Sequence, residues 1–137
     1  MKRYVLDTTP LAAYLKGIAS ARELIEPRIR RQEVATSVLV YNEVTEYNKS
    51  FPDVARRQEQ LRRLLREVSP YVLTFAILER YADLRRSLRP PHGPSQIGDI
   101  DTLIAATALE HDLILVTTDT DFRRVPDLHL TLLPRKA

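Results

Sequence analysis

The chain has no cysteine at any of its 137 positions. Disulfides, thiolate zinc centres, redox CxxC motifs and cysteine nucleophiles are therefore excluded together. Glycine is nearly as scarce, with Gly17, Gly93 and Gly98 the only three. A phosphate-binding P-loop or a dinucleotide turn needs closely spaced glycines so that backbone can approach phosphate, and these three cannot supply either. The three histidines, His92, His111 and His129, lack any paired ligand spacing, so each is expected as a surface or loop residue and not as a metal ligand. No apolar run reaches the roughly 18 residues of a membrane span. No apolar signal segment precedes the first charge-punctuated strand. A cytoplasmic protein is expected, with no membrane partner.

What is present is an ordinary globular composition, 44% hydrophobic and 28% charged. A chain of this length is expected to form one domain over residues 1–137 and to bury roughly two-thirds of its unfolded surface. Neither repeats nor low-complexity tracts suggest an internal boundary. The net charge is +3 and the isoelectric point is near 9.4, with arginine far more frequent than lysine. A basic surface suits a polyanion whose backbone arginine can hold. So small an excess is equally compatible with a merely arginine-rich surface, and composition leaves the partner open.

Apolar, β-branched runs at residues 2–6, 34–39, 113–117 and 129–133 read as strands, and 71–75 as a short strand or turn. Thr9 and Pro10 suit the cap and first position of a helix that runs through Leu15. Further helices are predicted at 20–31, around Tyr41 to Val44, at 52–68, 76–88 and 101–110, with a helical turn near 121–124. The proline-rich stretch 89–95 is the clearest loop. Strands separated by helices imply an α/β fold with parallel pairing, right-handed crossovers and helices on both faces. The helix at 103–109 is apolar nearly all round and rich in alanine, so it should lie close against the sheet. In the helix at 52–68, Val54, Leu61, Leu64, Leu65 and Val68 form an apolar stripe, with five arginines largely off it. Some of that stripe could pair two copies of the chain. Its arginine face reads more simply as solvated than as an RNA or protein contact.

Acidic residues fall where such a sheet gathers its ligands, beyond the carboxyl ends of the strands. Asp7 ends the first strand ahead of Thr8-Thr9-Pro10. It could serve as a turn acceptor, but Thr9 is the better cap, which leaves Asp7 for function. Glu43 reads by default as a solvated helix residue, and Glu46 competes with it. Asp99 and Asp101 flank Ile100 at a helix start, where capping and the macrodipole favour carboxylates. One acid is enough to cap, so Asp99 is read as a cap or supporting group and Asp101 as a ligand. Thr117-Thr118-Asp119-Thr120-Asp121 follows a strand, with Asp119 the preferred ligand and Asp121 the alternate. Carboxylates gathered in this way repel one another unless a cation lies between them, and an oxygen-only set suits Mg²⁺ or Mn²⁺. The chemistry expected is metal-dependent attack of water on a phosphate ester, without a protein nucleophile.

The order Asp7-Thr8-Thr9, Glu43, Ile97-Gly98-Asp99-Ile100-Asp101-Thr102-Leu103-Ile104-Ala105-Ala106-Thr107-Ala108 and Leu115-Val116-Thr117-Thr118-Asp119-Thr120-Asp121-Phe122 closely resembles PIN-domain ribonucleases. Among these it looks most like the VapC-type toxins of type II toxin–antitoxin pairs. The resemblance is specific at 5–9 and 97–125 and weak from about 51 to 94. It implies a three-layer α/β/α sandwich with a mainly parallel sheet. It implies one or two Mg²⁺ or Mn²⁺ ions held by Asp7, Glu43, Asp101 and Asp119, with Thr8 and Thr117 as supporting hydroxyls. It also implies an RNA substrate cut to 5′-phosphate and 3′-hydroxyl ends, a homodimer, and a cognate antitoxin whose C-terminal segment covers the site. The spacing between Thr117 and Phe122 varies in such proteins, so Asp119 and Asp121 both remain candidates for the fourth acid.

Three alternatives compete. A stand-alone RNA-processing nuclease would share every one of these residues. A non-catalytic scaffold for RNA or protein would have no use for a self-repelling cluster. A phosphoacceptor domain would need a second acid beside Asp7 and a lysine on a late strand, yet no lysine lies between Lys49 and Lys136.

Overall fold

The apolar runs form five short strands, β1 (Tyr4–Leu6), β2 (Val34–Ser37), β3 (Pro70–Tyr71), β4 (Ile114–Thr117) and β5 (Leu130–Leu132). In the computed structural model, which describes residues 1–91, 93 and 95–134, they make one parallel sheet in the order β3-β2-β1-β4-β5. The expected surface position of His92 and the Pro94 part of the predicted loop lie outside the described residues. Between the strands run α1 (Thr8–Leu15), α2 (Ala19–Arg30), α3 (Val38–Asn48), α4 (Val54–Glu67), α5 (Phe75–Leu88) and α6 (Asp99–Glu110), followed by a 3₁₀ turn at Thr120–Arg124. The result is the three-layer α/β/α sandwich.

Handedness explains the layers. The crossovers from β1 to β2 and from β2 to β3 step one way across the sheet, and that from β3 to β4 steps back. Right-handed crossing therefore sends α1 to α4 to one face and α5 with α6 to the other. Contacts follow this division, with α1 touching α2 and α3, α3 touching α4, and α5 packed along α6. The strand order reverses between neighbours β1 and β4, which makes the crevice beyond their carboxyl ends the switch point where such sheets bind ligands.

Val5, Leu6, Leu115 and Val116 on those two strands are fully buried, as expected where helices cover both faces. Ala105, Ala106 and Ala108 of α6 are equally buried, so the alanine-rich helix does lie on the sheet. Its buried hydroxyls are satisfied locally. Thr102 donates to the Gly98 carbonyl and Thr107 to the Leu103 carbonyl, both at 2.8 Å.

Several boundaries differ from expectation for definable reasons. The strand predicted to reach residue 39 stops at Ser37, whose hydroxyl accepts from the Leu39 N–H at 3.1 Å and starts α3. Helix α1 starts behind Asp7, not Thr9, because the Asp7 carboxylate accepts from the Thr8 N–H. Helix α6 begins at Asp99 behind Gly98. In α4, Leu61, Leu64 and the adjoining Val68 are buried. Most of the stripe is thus taken up by the chain's own core and is not left for a second copy. Arg56 and Arg57 of α4 pair with Asp53, and Arg62 and Arg63 with Glu59, at the surface, as a solvated face would. Among the described residues, no helix is long and apolar enough to cross a membrane.

The close seat of α6 should tolerate no added volume. Ala106→Leu is expected to destabilise the fold by about 1–3 kcal/mol through overpacking, read as a lower urea midpoint. An unchanged midpoint would mean that α6 is loosely seated.

Candidate active site

Asp7 stands one residue past β1, and its backbone N–H continues the ladder to the Val116 carbonyl at 2.9 Å. This register brings its side chain to the end of β4. The Thr117 hydroxyl donates to Asp7 Oδ2 at 2.7 Å, and the Thr8 N–H donates to Oδ1 at 2.8 Å. Both carboxylate oxygens of a buried acid are thus fixed. Thr117 also accepts from the Asp119 N–H at 3.1 Å. From the other side, the Thr8 hydroxyl donates to Glu43 Oε1 on α3. A connected run therefore joins Glu43, Thr8, Asp7, Thr117 and the Asp119 backbone across α3, α1, β1 and β4. Behind it, the buried Thr36 hydroxyl donates to the Leu6 carbonyl at 2.9 Å and ties β2 to the chain just before Asp7.

Asp101 faces this run from the first turn of α6. Its carboxyl is pushed up to about 6, mainly by burial and then by Asp7, Asp119, Glu43 and Asp121 in turn. Every one of these influences acts in the same direction. Asp7 is also raised by burial, against the pull of the Thr117 and Thr8 hydrogen bonds, with Glu43 and Asp119 adding to the rise. Hydrogen bonds to a carboxylate favour its charged form, and nearby anions oppose it. The four carboxylates Asp7, Glu43, Asp101 and Asp119 accordingly lie within electrostatic reach of one another. Among the described residues, no arginine or lysine is paired with any of them.

The other acids are placed differently. Asp121 is exposed and paired with Arg124 at 3.4 Å. Asp119, and not Asp121, caps the 3₁₀ turn, its Oδ1 accepting from the Asp121 N–H at 2.8 Å. Asp99 does not cap α6, where Gly98 holds that position. It turns toward α5, pairing with Arg85 and accepting from the Tyr81 hydroxyl at 3.3 Å. Glu46 is exposed on α3. His111 ends α6 and stacks on Tyr71 with ring centroids 3.9 Å apart, and His129 is exposed just before β5. Neither histidine is among the groups that act on Asp7 or Asp101.

The donor set is oxygen only and lacks a counter-charge, which fits a hard divalent cation. Among the described residues, no three acidic or histidine side chains already stand in a ligand arrangement. Beside the acids opens a cavity of about 320 Å³, lined by Thr8, Glu43, Lys16 and Tyr47 among others. Lys16 and Tyr47 had no place in the sequence reading. The single available signal was that Tyr47 follows Glu43 by one helical turn. A larger cavity, about 610 Å³, lies along α2 between Arg22, Glu26, Pro27 and Arg30 and shares no lining residue with the acids.

The family model described as the PIN domain matches residues 4–128. No curated protein matches the sequence. Among solved structures, the chain is similar to VapBC2 from Rickettsia felis bound to a DNA fragment from their promoter, with 24% identity and a TM-score of 0.84 over 95% of this chain and 98% of that one. It is similar to DNA-bound VapBC from Salmonella typhimurium, with 18% identity and a TM-score of 0.84 over 96% and 98% of the two chains. It is similar also to FitAcB from Neisseria gonorrhoeae, with 20% identity and a TM-score of 0.78 over 98% and 99%. At these identities the likeness is one of fold.

The raised acid has a stability consequence. Folded Asp101 holds its proton up to about pH 6, against 3.8 for the unpaired group. Between those values the folded state binds the extra proton, so this group's cost to stability is absent at low pH and fully present above about pH 6. In metal-free buffer, Asp101→Asn should therefore raise the melting temperature at pH 7.5, and the gap to wild type should close as the pH falls toward 4. A gap independent of pH would contradict the assignment.

Proposed function

We propose that this chain, which belongs to the PIN domain family, is a divalent-metal-dependent endoribonuclease and the toxin of a toxin–antitoxin pair. The observation that carries the reading is the set of four carboxylates, unpaired with any base among the described residues, at the switch point of a parallel sheet. Asp7, Glu43, Asp101 and Asp119 would hold one or two Mg²⁺ or Mn²⁺ ions. When bound, such ions lower the pKa of a coordinated water and stabilise charge on the attacking and leaving oxygens of a phosphodiester.

The chain's own groups prepare that site. Thr117 and the Thr8 N–H keep Asp7 aimed and favour its charged form. The Thr8 hydroxyl orients Glu43. The firmly packed α6 holds Asp101 at a fixed depth, and Thr117 positions the Asp119 backbone. Thr8, Thr117 and Asp99 support the acids without contacting the phosphate, Asp99 by anchoring the first turn of α6 to α5. Asp121, paired with Arg124, stands outside the ligand set.

The toxin reading is supported by likeness to a toxin–antitoxin complex from Klebsiella pneumoniae and to a member of the VapBC family of toxin–antitoxin systems from Mycobacterium tuberculosis, each over more than nine-tenths of both chains. A cognate antitoxin would cover the site through its C-terminal segment. The protein would act in the cytoplasm as a single nuclease domain and as a homodimer. With most of the α4 stripe buried, the surface for a second copy moves to the β3–α5 segment, where Val72, Phe75 and Leu78 are exposed.

Two experiments test this. Millimolar Mg²⁺ or Mn²⁺ should raise the wild-type melting temperature by mass action, and Asp119→Asn should lower RNA cleavage by about 10²-fold or more without unfolding the protein. Asp121→Asn should leave the rate within a few-fold. The reverse pattern would transfer the ligand role to Asp121, and the absence of any metal effect would remove the assembled site. Separately, sedimentation at micromolar concentration should give twice the 15.8 kDa monomer mass, with Phe75→Asp shifting it to monomer. A wild-type monomer throughout would refute the dimer.

A further inference from the structure

The cavity beside Glu43 does not end at the acids. A second cavity of about 280 Å³ shares Lys16 and Tyr47 with it and continues past Asn48 to Arg56 and Arg57. Together they form a groove between α1 and α3 that leads from the carboxylates to the first turn of α4. Tyr47 is 45% exposed in this groove, on a helix whose other large side chains are mostly turned inward. The Lys16 ammonium lies over its ring, 5.1 Å from the centroid. Phe51 meets Tyr47 edge-on at 5.0 Å, and the Arg57 guanidinium lies 3.7 Å from the Phe51 centroid. Two adjoining rings, Tyr47 in the groove and Phe51 behind it, are therefore flanked by a cation on each side, Lys16 and Arg57.

We propose that this groove is the track for single-stranded RNA flanking the scissile phosphate, with Tyr47 as the platform for a base and Lys16 as the contact for its phosphate. The inference rests on the ribonuclease reading and specifies where the substrate strand lies. Strand-binding grooves combine positive charge that follows the backbone with aromatic faces on which bases stack. Both elements are here, continuous with the acids. Among the described residues Lys16 makes no ion pair. Its charge is committed only to the tyrosine ring. A stacking base takes the ring face that the ammonium occupies, and the ammonium moves to the nucleotide's phosphate, so each partner of the cation–π pair gains a stronger one. Arg56 and Arg57 are held by Asp53, Arg57 through Nε at 2.9 Å, which fixes the pair and leaves guanidinium N–H groups for phosphates further along.

The chain has no tryptophan, so Tyr47→Trp introduces a single fluorescent reporter at the platform. In an Asp119→Asn background with Mg²⁺, a hexaribonucleotide should quench its emission, and an abasic oligomer of the same length should bind without quenching. Tyr47→Ala should weaken hexamer binding about tenfold. Tyr47→Phe, which keeps the ring, should bind like wild type and serves as the folding control. Lys16→Gln should reduce the salt slope of binding by about one. RNA binding without quenching, and with Tyr47→Ala unaffected, would overturn the proposal. So would quenching by a partner polypeptide but never by RNA, which would make the groove a protein-docking surface. Quenching that persists while wild type cleaves no RNA would defeat the ribonuclease reading and leave the track intact. Cleavage without quenching would do the opposite.

Discussion

A buried carboxylate fastened to the end of a neighbouring strand organises this molecule. Asp7 could not stay ionised beneath the surface without donors, and it has two, the Thr8 N–H and the Thr117 hydroxyl. The second bridges 110 positions of chain and exists only because β1 and β4 are adjacent and in register, with Leu6 beside Val116. Thr117 in turn receives the Asp119 N–H. Slipping that register by one residue would turn Thr117 to the other face of the sheet and cut the connected run. The pairing of two short strands thus sets the geometry of the whole acidic site.

The same arrangement works against folding stability. Asp101 is half-buried among like charges with no compensating base among the described residues, and its carboxyl rises to about 6, first from burial and then from those charges. An ordinary surface would relieve this by letting the acids swing away into water. Here α6 prevents it, because its alanines sit flush on the sheet and its first turn is joined to α5 through Asp99 and Arg85. The repulsion is therefore retained in the fold, and anything that neutralises it, proton or cation, is favoured by the same free energy. The arginine-rich surface stays apart from this centre. Its ion pairs among the described residues fall on Glu26, Glu33, Asp53, Glu59, Glu110, Asp99 and Asp121, and none of them reaches the acids at the switch point.

Much of this was legible in the residues, since periodicity and short-range chemistry fix local choices. The alternation of apolar runs with helical stretches predicted the parallel sandwich, and the alanines of α6 predicted its seat. The misplacements are just as local. Thr9 looked the better cap because hydroxyls and Pro10 are strong start signals, yet Asp7 both caps α1 and joins the acids. Position alone left Asp99 as a cap or a supporting group; the cap goes to Gly98, and the partner that Asp99 takes, Arg85, lies 14 positions away. The stripe on α4 could not be assigned to the core or to a second copy until the opposing surfaces were known.

The sequence by itself determined which residues carry charge without sulfur or nitrogen ligands beside them, which segments prefer strand or helix, and which fold class their alternation allows. Those properties depend on neighbours a few positions apart. Only the tertiary structure decided that Glu43, Thr8, Asp7 and Thr117 make a connected run, that Asp121 has Arg124 while Asp119 pairs with no base among the described residues, and that Lys16 lies over Tyr47. Each of these is a contact between side chains brought together by β-strand register or helix packing. Such contacts are set by the mutual fit of surfaces distant in the chain, and no local pattern encodes that fit.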